Sequence, residues 1–192
     1  MNHKRINVES ELVLSAIRSP RHGRAISKSL NLPPTSVQRG LSRLVKANVM
    51  DCTTAGRNKT YSIKNSLAAR QYVYAAEHQR LAKLLEHYPY LAPLFDDILE
   101  KTNAGLVILY GSYAGFSAKK ESDIDIYIET TDPKPKKTLE LLDSRLSVKT
   151  GSFMKADPLI KEIIKRHVIL RGVERYYERL GFFGKIKRGE EA

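Results

Sequence analysis

The sequence predicts an α+β protein built in two parts, and three observations carry that prediction. Apolar residues at helical spacing dominate residues 1 to 65 until two short β-like segments close that region. Beyond it, a continuous apolar run from Leu106 to Tyr110 and a period-two segment from Asp123 to Glu129 mark strands, with helical stretches around them. Charge is divided unevenly between the same two parts.

Of 192 residues, 42% are hydrophobic and 28% charged, enough apolar material for packed cores and too little bias for a collagen-like, coiled-coil or wholly disordered chain. Lysines and arginines number 33 against 21 acids, a formal charge of +12. Residues 1 to 65 hold 12 of those bases and 3 of the acids, a net +9, which leaves +3 for the remaining 127 residues. A nucleic-acid-binding module joined to a nearly neutral domain has this asymmetry. The single cysteine, Cys52, excludes an internal disulfide framework or a Cys-based zinc site and fits a reducing cytosol. No apolar h-region follows Met1 to Asn7, and five-residue apolar runs fall far below the roughly 20 residues that span a bilayer. A cytoplasmic protein with no membrane partner is expected.

The basic third reads as three helices and a hairpin. Glu11 to Arg18 carries Leu12, Val13, Ala16 and Ile17 at helical spacing after a candidate cap, Ser10, and Ser19-Pro20 ends it. Arg24 to Leu30 is a short second helix before the turn Asn31-Leu32-Pro33. The third runs from about Thr35 to Ala47, with Pro34 near its start and Val37, Leu41, Leu44 and Val45 as its apolar stripe. Ser36, Gln38, Arg39, Ser42, Arg43 and Lys46 lie on its other face. Val49 to Thr54 and Lys59 to Ile63 are β-like and flank Ala55-Gly56-Arg57-Asn58, where positive φ is cheap.

Over residues 8 to 65 this order of elements, with the wing-like GRNKTYSI, resembles the winged helix-turn-helix domain of prokaryotic regulators. The resemblance implies DNA binding, with the third helix in the major groove. Gln38 and Arg39 then become candidates for reading base edges, and Arg43, Lys46, Arg57 and Lys59 for neutralising phosphates. The competing reading is a solvated face that mediates protein contacts.

A helical connector over residues 66 to 104 follows, one helix from Ser66 to about Tyr88, stopped by Pro89, and a second from Leu91 to Lys101. Such helices pair in homodimers or pack on their own chain, and the sequence leaves both open. The third segment, 105 to 183, holds the chemistry.

Leu106 to Tyr110 reads as a buried strand running into the tight turn Gly111-Ser112. Downstream, Ile124, Ile126 and Ile128 share one face of a strand, and Asp123, Asp125, Tyr127 and Glu129 the other. Carboxylates at i and i+2 have Cα atoms roughly 6.6 Å apart on one face, close enough to converge on one or two hard cations. Glu129 lies about 13 Å from Asp125 along the strand, out of reach.

Gly-Ser, ten residues, then Asp-x-Asp, framed by a buried strand and an alternating strand, resembles the minimal nucleotidyltransferases of the DNA polymerase β-like superfamily over residues 95 to 181. The closing HVILRGVERYYERLGFF resembles the end of archaeal-type members. The resemblance implies a mixed sheet, an NTP substrate, nucleotide binding at Gly111 and Ser112, and catalysis with Mg²⁺, two ions in an active enzyme, held by Asp123 and Asp125. It also implies transfer of a nucleoside monophosphate to an acceptor hydroxyl. The superfamily includes antibiotic-modifying enzymes and antitoxins that adenylylate toxins, which admits a protein acceptor.

One departure counts against activity. The family's third carboxylate belongs on a later strand, here Leu146 to Phe153 after a helix of about Lys136 to Arg145, and that strand's only charge is Lys149. Asp143 and Asp157 are the later acids to consider, although Asp157-Pro158 reads as a helix cap followed by proline at the first helical position. A transcription regulator with a degenerate, nucleotide-sensing or partner-binding domain is therefore the alternative, and RNA binding stays open beside DNA binding. Lys119, Lys120, Arg171 and Arg175 read as surface charges rather than phosphate ligands, and residues 184 to 192 as a disordered tail.

Overall fold

Helices and strands come in pairs from Gly23 to Glu100 and alternate one by one from Val107 onward. A computed structural model describes residues 2–17, 19, 21–56 and 58–184. Arg57 and the expected tail beyond Gly184 lie outside the described residues. Residues up to Gln79, with Phe183 and Gly184, form one compact unit, and Arg80–Phe182 form a second.

The first unit runs α1 (Asn2–Ile17), β1 (Arg21–His22), α2 (Gly23–Leu30), α3 (Pro34–Lys46), β2 (Met50–Ala55), β3 (Asn58–Ile63) and the first part of α4 (Leu67–His87). Its three-stranded sheet has the order β1-β3-β2 and is antiparallel throughout, with Cys52 opposite Tyr61 and Arg21 also opposite Tyr61. Leu12, Val13 and Ala16 of α1 are buried with Val37, Leu41 and Leu44 of α3, so the expected stripe is the core face, with Val45 at its edge. Two expectations are corrected. Helix α1 begins eight residues before Ser10, because Val8 continues the stripe of Leu12 one turn upstream at i, i+4 spacing; Ser10 is inside the helix and caps nothing. The two-residue strand β1 carries no periodic signal, and only pairing with β3 reveals it. Ser66 does cap α4, its hydroxyl accepting from the Ala69 N–H at 3.0 Å.

The second unit contains the end of α4, α5 (Leu91–Glu100), β4 (Val107–Tyr110), the single turn α6 (Gly111–Ala114), β5 (Ile124–Glu129), α7 (Lys134–Leu139), β6 (Leu146–Gly151), α8 (Pro158–Lys165), β7 (His167–Arg171) and α9 (Val173–Leu180). Four strands form a mixed sheet in the order β6-β5-β4-β7, with β5 and β6 parallel and the other pairs antiparallel. The predicted α+β class with a mixed sheet is thus observed.

Pleating sorts the strand residues between two helical layers. Val107, Leu109, Ile124, Ile126, Ile128 and Val148 pack with Leu84, Leu91, Phe95 and Ile98 of α4 and α5. The opposite face carries Asp125, Tyr127 and Glu129 of β5; there the Tyr127 ring meets Phe153 at 6.2 Å, and Phe153 meets Tyr176 of α9 at 5.7 Å. Both faces being covered explains why β4 is buried at all four positions. Helix α7 ends at Leu139, short of the expected Arg145, because Asp143 folds onto the Arg145 N–H and guanidinium and closes the chain into a turn. No helix among the described residues is long and apolar enough to cross a membrane.

Candidate active site

Strand β4 delivers the chain to Gly111, whose φ of +72° is cheap only for glycine. Antiparallel register places Asp125 directly opposite Tyr110, the residue before that turn. The Asp125 carboxylate consequently lies against the Gly111 Cα, where the Oδ2 atom occupies the space a β-carbon would need. Ser112 follows in the same turn, and its carbonyl accepts the Ser117 N–H at 3.1 Å, so the chain wraps tightly around it. Behind the turn, Tyr113 is fully buried; the Tyr90 hydroxyl donates to its oxygen at 3.2 Å, and burial pushes its phenol up to about 12. Arg80 braces the turn from α4, donating to the Ala114 carbonyl at 3.2 Å.

Negative charge gathers around Asp125. Burial first, then the charges of Asp123 and Glu162, raise the Asp125 carboxyl above the ordinary value, and Lys149 only partly offsets them. Tyr110, just before Gly111, is pushed up to about 12 by burial and by the charges of Asp125 and Glu162. Gly111, Ser112, Asp123 and Asp125 are thereby gathered at one end of the β4–β5 pair.

Glu162 escapes sequence reasoning because it lies in a helix with no motif around it. The signal that finds it is tertiary: α8 packs over β4, and the Glu162 charge reaches both Asp125 and Tyr110. The two later acids considered from sequence are engaged elsewhere. Asp143 forms a two-pronged pair with Arg145, 2.7 Å to Nη2 and 3.1 Å to Nε, which holds its carboxyl below the usual range. Asp157 caps α8, accepting the Leu159 N–H at 2.7 Å. Among the described residues, no group of three or more His, Cys, Asp or Glu is gathered for a metal ion.

Glu129, Arg171 and Arg175 have structural partners. Glu129 bridges Arg175 at 2.5 Å and Arg179 at 2.6 Å, with its own side chain 8% exposed. Arg171 donates to the carbonyls of Leu99, Thr102 and Ala104, closing the C-terminal end of α5. Lys119 and Lys120 are exposed.

In the first unit, Gln38, Arg39 and Lys46 of α3 and Lys59 of β3 are exposed. Gln38 donates to the Tyr61 hydroxyl at 3.3 Å, and with His22, Arg24, Asn58 and Lys59 it lines a cleft of about 530 Å³. Arg43 is paired instead with Glu9 at 2.5 Å. Gln38 and Lys59 therefore meet at one cleft, joined by His22 and Arg24, which the sequence reading did not select.

No curated protein and no solved structure matches the chain. A family model of the nucleotidyltransferase domain matches residues 94–190, just over half of the 192 residues, and contains the whole Gly111-Ser112 turn and the Asp123–Asp125 pair. By that match, and with the turn and acids assembled as described, the chain belongs to the nucleotidyltransferase domain family.

Proposed function

We propose that this chain transfers a nucleoside monophosphate from an NTP to an acceptor hydroxyl at the Gly111–Asp125 site. The acceptor oxygen forms a bond to the α-phosphorus, the bond from that phosphorus to the bridging oxygen breaks, pyrophosphate leaves, and the hydroxyl proton passes to solvent. The observation that carries this reading is the Asp125 carboxylate held against the Gly111 backbone. It supports a site where a phosphate and a cation are bound side by side.

The donor set fits Mg²⁺. Asp123, just before β5 rather than within it, and Asp125 on β5 offer hard oxygens, and Mg²⁺ takes one or two carboxylates together with substrate phosphates and water. The raised Asp125 carboxyl fits too, since like charges around it want a cation. When bound, the ion would neutralise phosphate charge and favour the ionised acceptor. Gly111 leaves room for the Asp125 carboxylate at the turn, Ser112 offers a hydroxyl, and Tyr113, buried behind the turn, anchors it.

For the first unit we propose a winged helix that binds DNA and brings the transferase to its site of action. The element order, the net +9 over residues 1 to 65 and the polar cleft beside Gln38 and Lys59 support this. Selection from random DNA should enrich a site bound by wild type and lost in Gln38→Ala/Arg39→Ala. No enrichment, or unchanged binding by the variant, contradicts specific recognition.

A second reading, a regulator that binds NTP without transferring it, is favoured by the absence of a three-acid group among the described residues. Incubation with α-labelled NTPs, Mg²⁺ and host lysate separates the two. The transferase reading expects label on an acceptor with wild type and none with Asp123→Ala/Asp125→Ala. Equal signal from both overturns it, and NTP binding without transfer favours the regulator.

A further inference from the structure

The Gly111–Asp125 site is rich in negative charge, and the triphosphate it is proposed to bind is more negative still. Asp123 and Glu162 both add to the field at Asp125, and Lys149 answers only in part.

Apart from Arg166, the arginines of the second unit are committed, while Lys149 is exposed and its charge reaches Asp125. Arg80 holds the Ala114 carbonyl, Arg145 holds Asp143, Arg171 closes α5, and Arg175 and Arg179 hold Glu129. Arg166 differs. Its side chain has no ion-pair or hydrogen-bond partner among the described residues, and the residue is exposed. Two independent features place it at the turn. In the β4–β7 ladder Tyr110 pairs with His167, so the next step of the antiparallel register sets Arg166 beside Gly111. Its side chain then crosses Gly115, where an added β-carbon would meet Arg166 Cδ and Nη1, each at 2.7 Å.

Gly115 has φ −91° and ψ 0°, a conformation open to any residue. An added side chain there would press on Arg166 Cδ and Nη1 and push the guanidinium aside. The Arg166 side chain thus lies over the turn that follows Gly111-Ser112, across β4 from the strand that carries Asp125.

We infer that Arg166 is a substrate-binding residue that contacts the triphosphate of the NTP, a role that rests on the transferase or NTP-binding reading above. A guanidinium matches phosphate oxygens with paired N–H donors, and such charge-assisted bonds are stronger than neutral ones. Placed across β4 from Asp123 and Asp125, it clamps the phosphates between a cation just before β7 and the carboxylates at the start of β5.

The test is a titration of full-length protein with a fluorescent (mant) NTP in Mg²⁺, each variant first checked for a wild-type melting profile. Arg166→Ala is expected to weaken binding by about 10- to 100-fold. Arg166→Lys should lose less, keeping the charge without the fork. Competition by inorganic tripolyphosphate should weaken by the same factor as the NTP, as a contact to phosphates requires. Gly115→Ala supplies an independent arm: it should impair NTP binding in the wild-type background, by displacing the guanidinium, and add nothing to Arg166→Ala. NTP affinity within about twofold of wild type in Arg166→Ala, or tripolyphosphate competition untouched, overturns the assignment. If wild type binds no NTP at all, the nucleotide site itself is refuted and Arg166 with it.

Discussion

The Asp125 carboxylate lies against the Gly111 Cα in the space that any side chain at 111 would fill. Two segments separated by thirteen residues of sequence are locked at this point, and substrate chemistry and backbone conformation meet there. Gly111→Ala is expected to lose twice: a left-handed alanine costs about 1–2 kcal/mol, and its methyl displaces Asp125. Urea unfolding should show at least that loss, and nucleotide transfer should fall with it. A variant of wild-type stability and activity would contradict the geometry.

Asp125 is kept at a cost to the fold. Burial and two neighbouring carboxylates disfavour its charge, so Asp125→Asn in EDTA at pH 7 should melt at a higher temperature than wild type while losing transfer activity. Differential scanning calorimetry checks the first half. A lower melting temperature would show that Asp125 stabilises the turn instead.

Glu129 shares the strand face of the acid pair but serves the fold. Its carboxylate, 8% exposed, binds both Arg175 and Arg179 of α9. Glu129→Gln should cost about 1–3 kcal/mol in denaturant unfolding. NTP affinity should stay at the wild-type level, and a loss there would place Glu129 in the chemistry.

The Asp143–Arg145 pair gives a pH dependence whose sign is fixed. Arg145 lowers the Asp143 carboxyl in the folded state, so the pair's contribution is complete above the unfolded value near 3.9 and fades as pH falls through the lower folded value. Both side chains are partly exposed, which limits the contribution to about 1 kcal/mol. The stability difference between wild type and Asp143→Asn should be constant from pH 5 to 7 and shrink below about pH 4. A difference that grows on acidification would reverse the assigned sign.

What the sequence revealed and what it hid follow from range. Strand β4 was legible because a strand covered on both faces is continuously apolar, and β5 because its isoleucines alternate with Asp125, Tyr127 and Glu129; Asp123, which the same alternation puts on the strand, lies just before it. The cap at Asp157 was legible because Asp-Pro has one local meaning. Glu162 and Arg166 were not, since each reaches the site only through the packing of α8 on β4 and the β4–β7 register, which connect residues more than fifty apart. The start of α1 was missed for the opposite reason: Val8, one turn before Leu12, extends a stripe that a plausible cap at Ser10 seemed to end.

The central claim is that Asp123 and Asp125 hold a divalent cation together with an NTP. Electron paramagnetic resonance of Mn²⁺, titrated into the full-length protein with a non-hydrolysable NTP, tests it most directly. The expected result is NTP-dependent Mn²⁺ binding by wild type, displaced by Mg²⁺ and abolished in Asp123→Asn/Asp125→Asn. Equal Mn²⁺ binding by wild type and variant, or none by wild type, would contradict it.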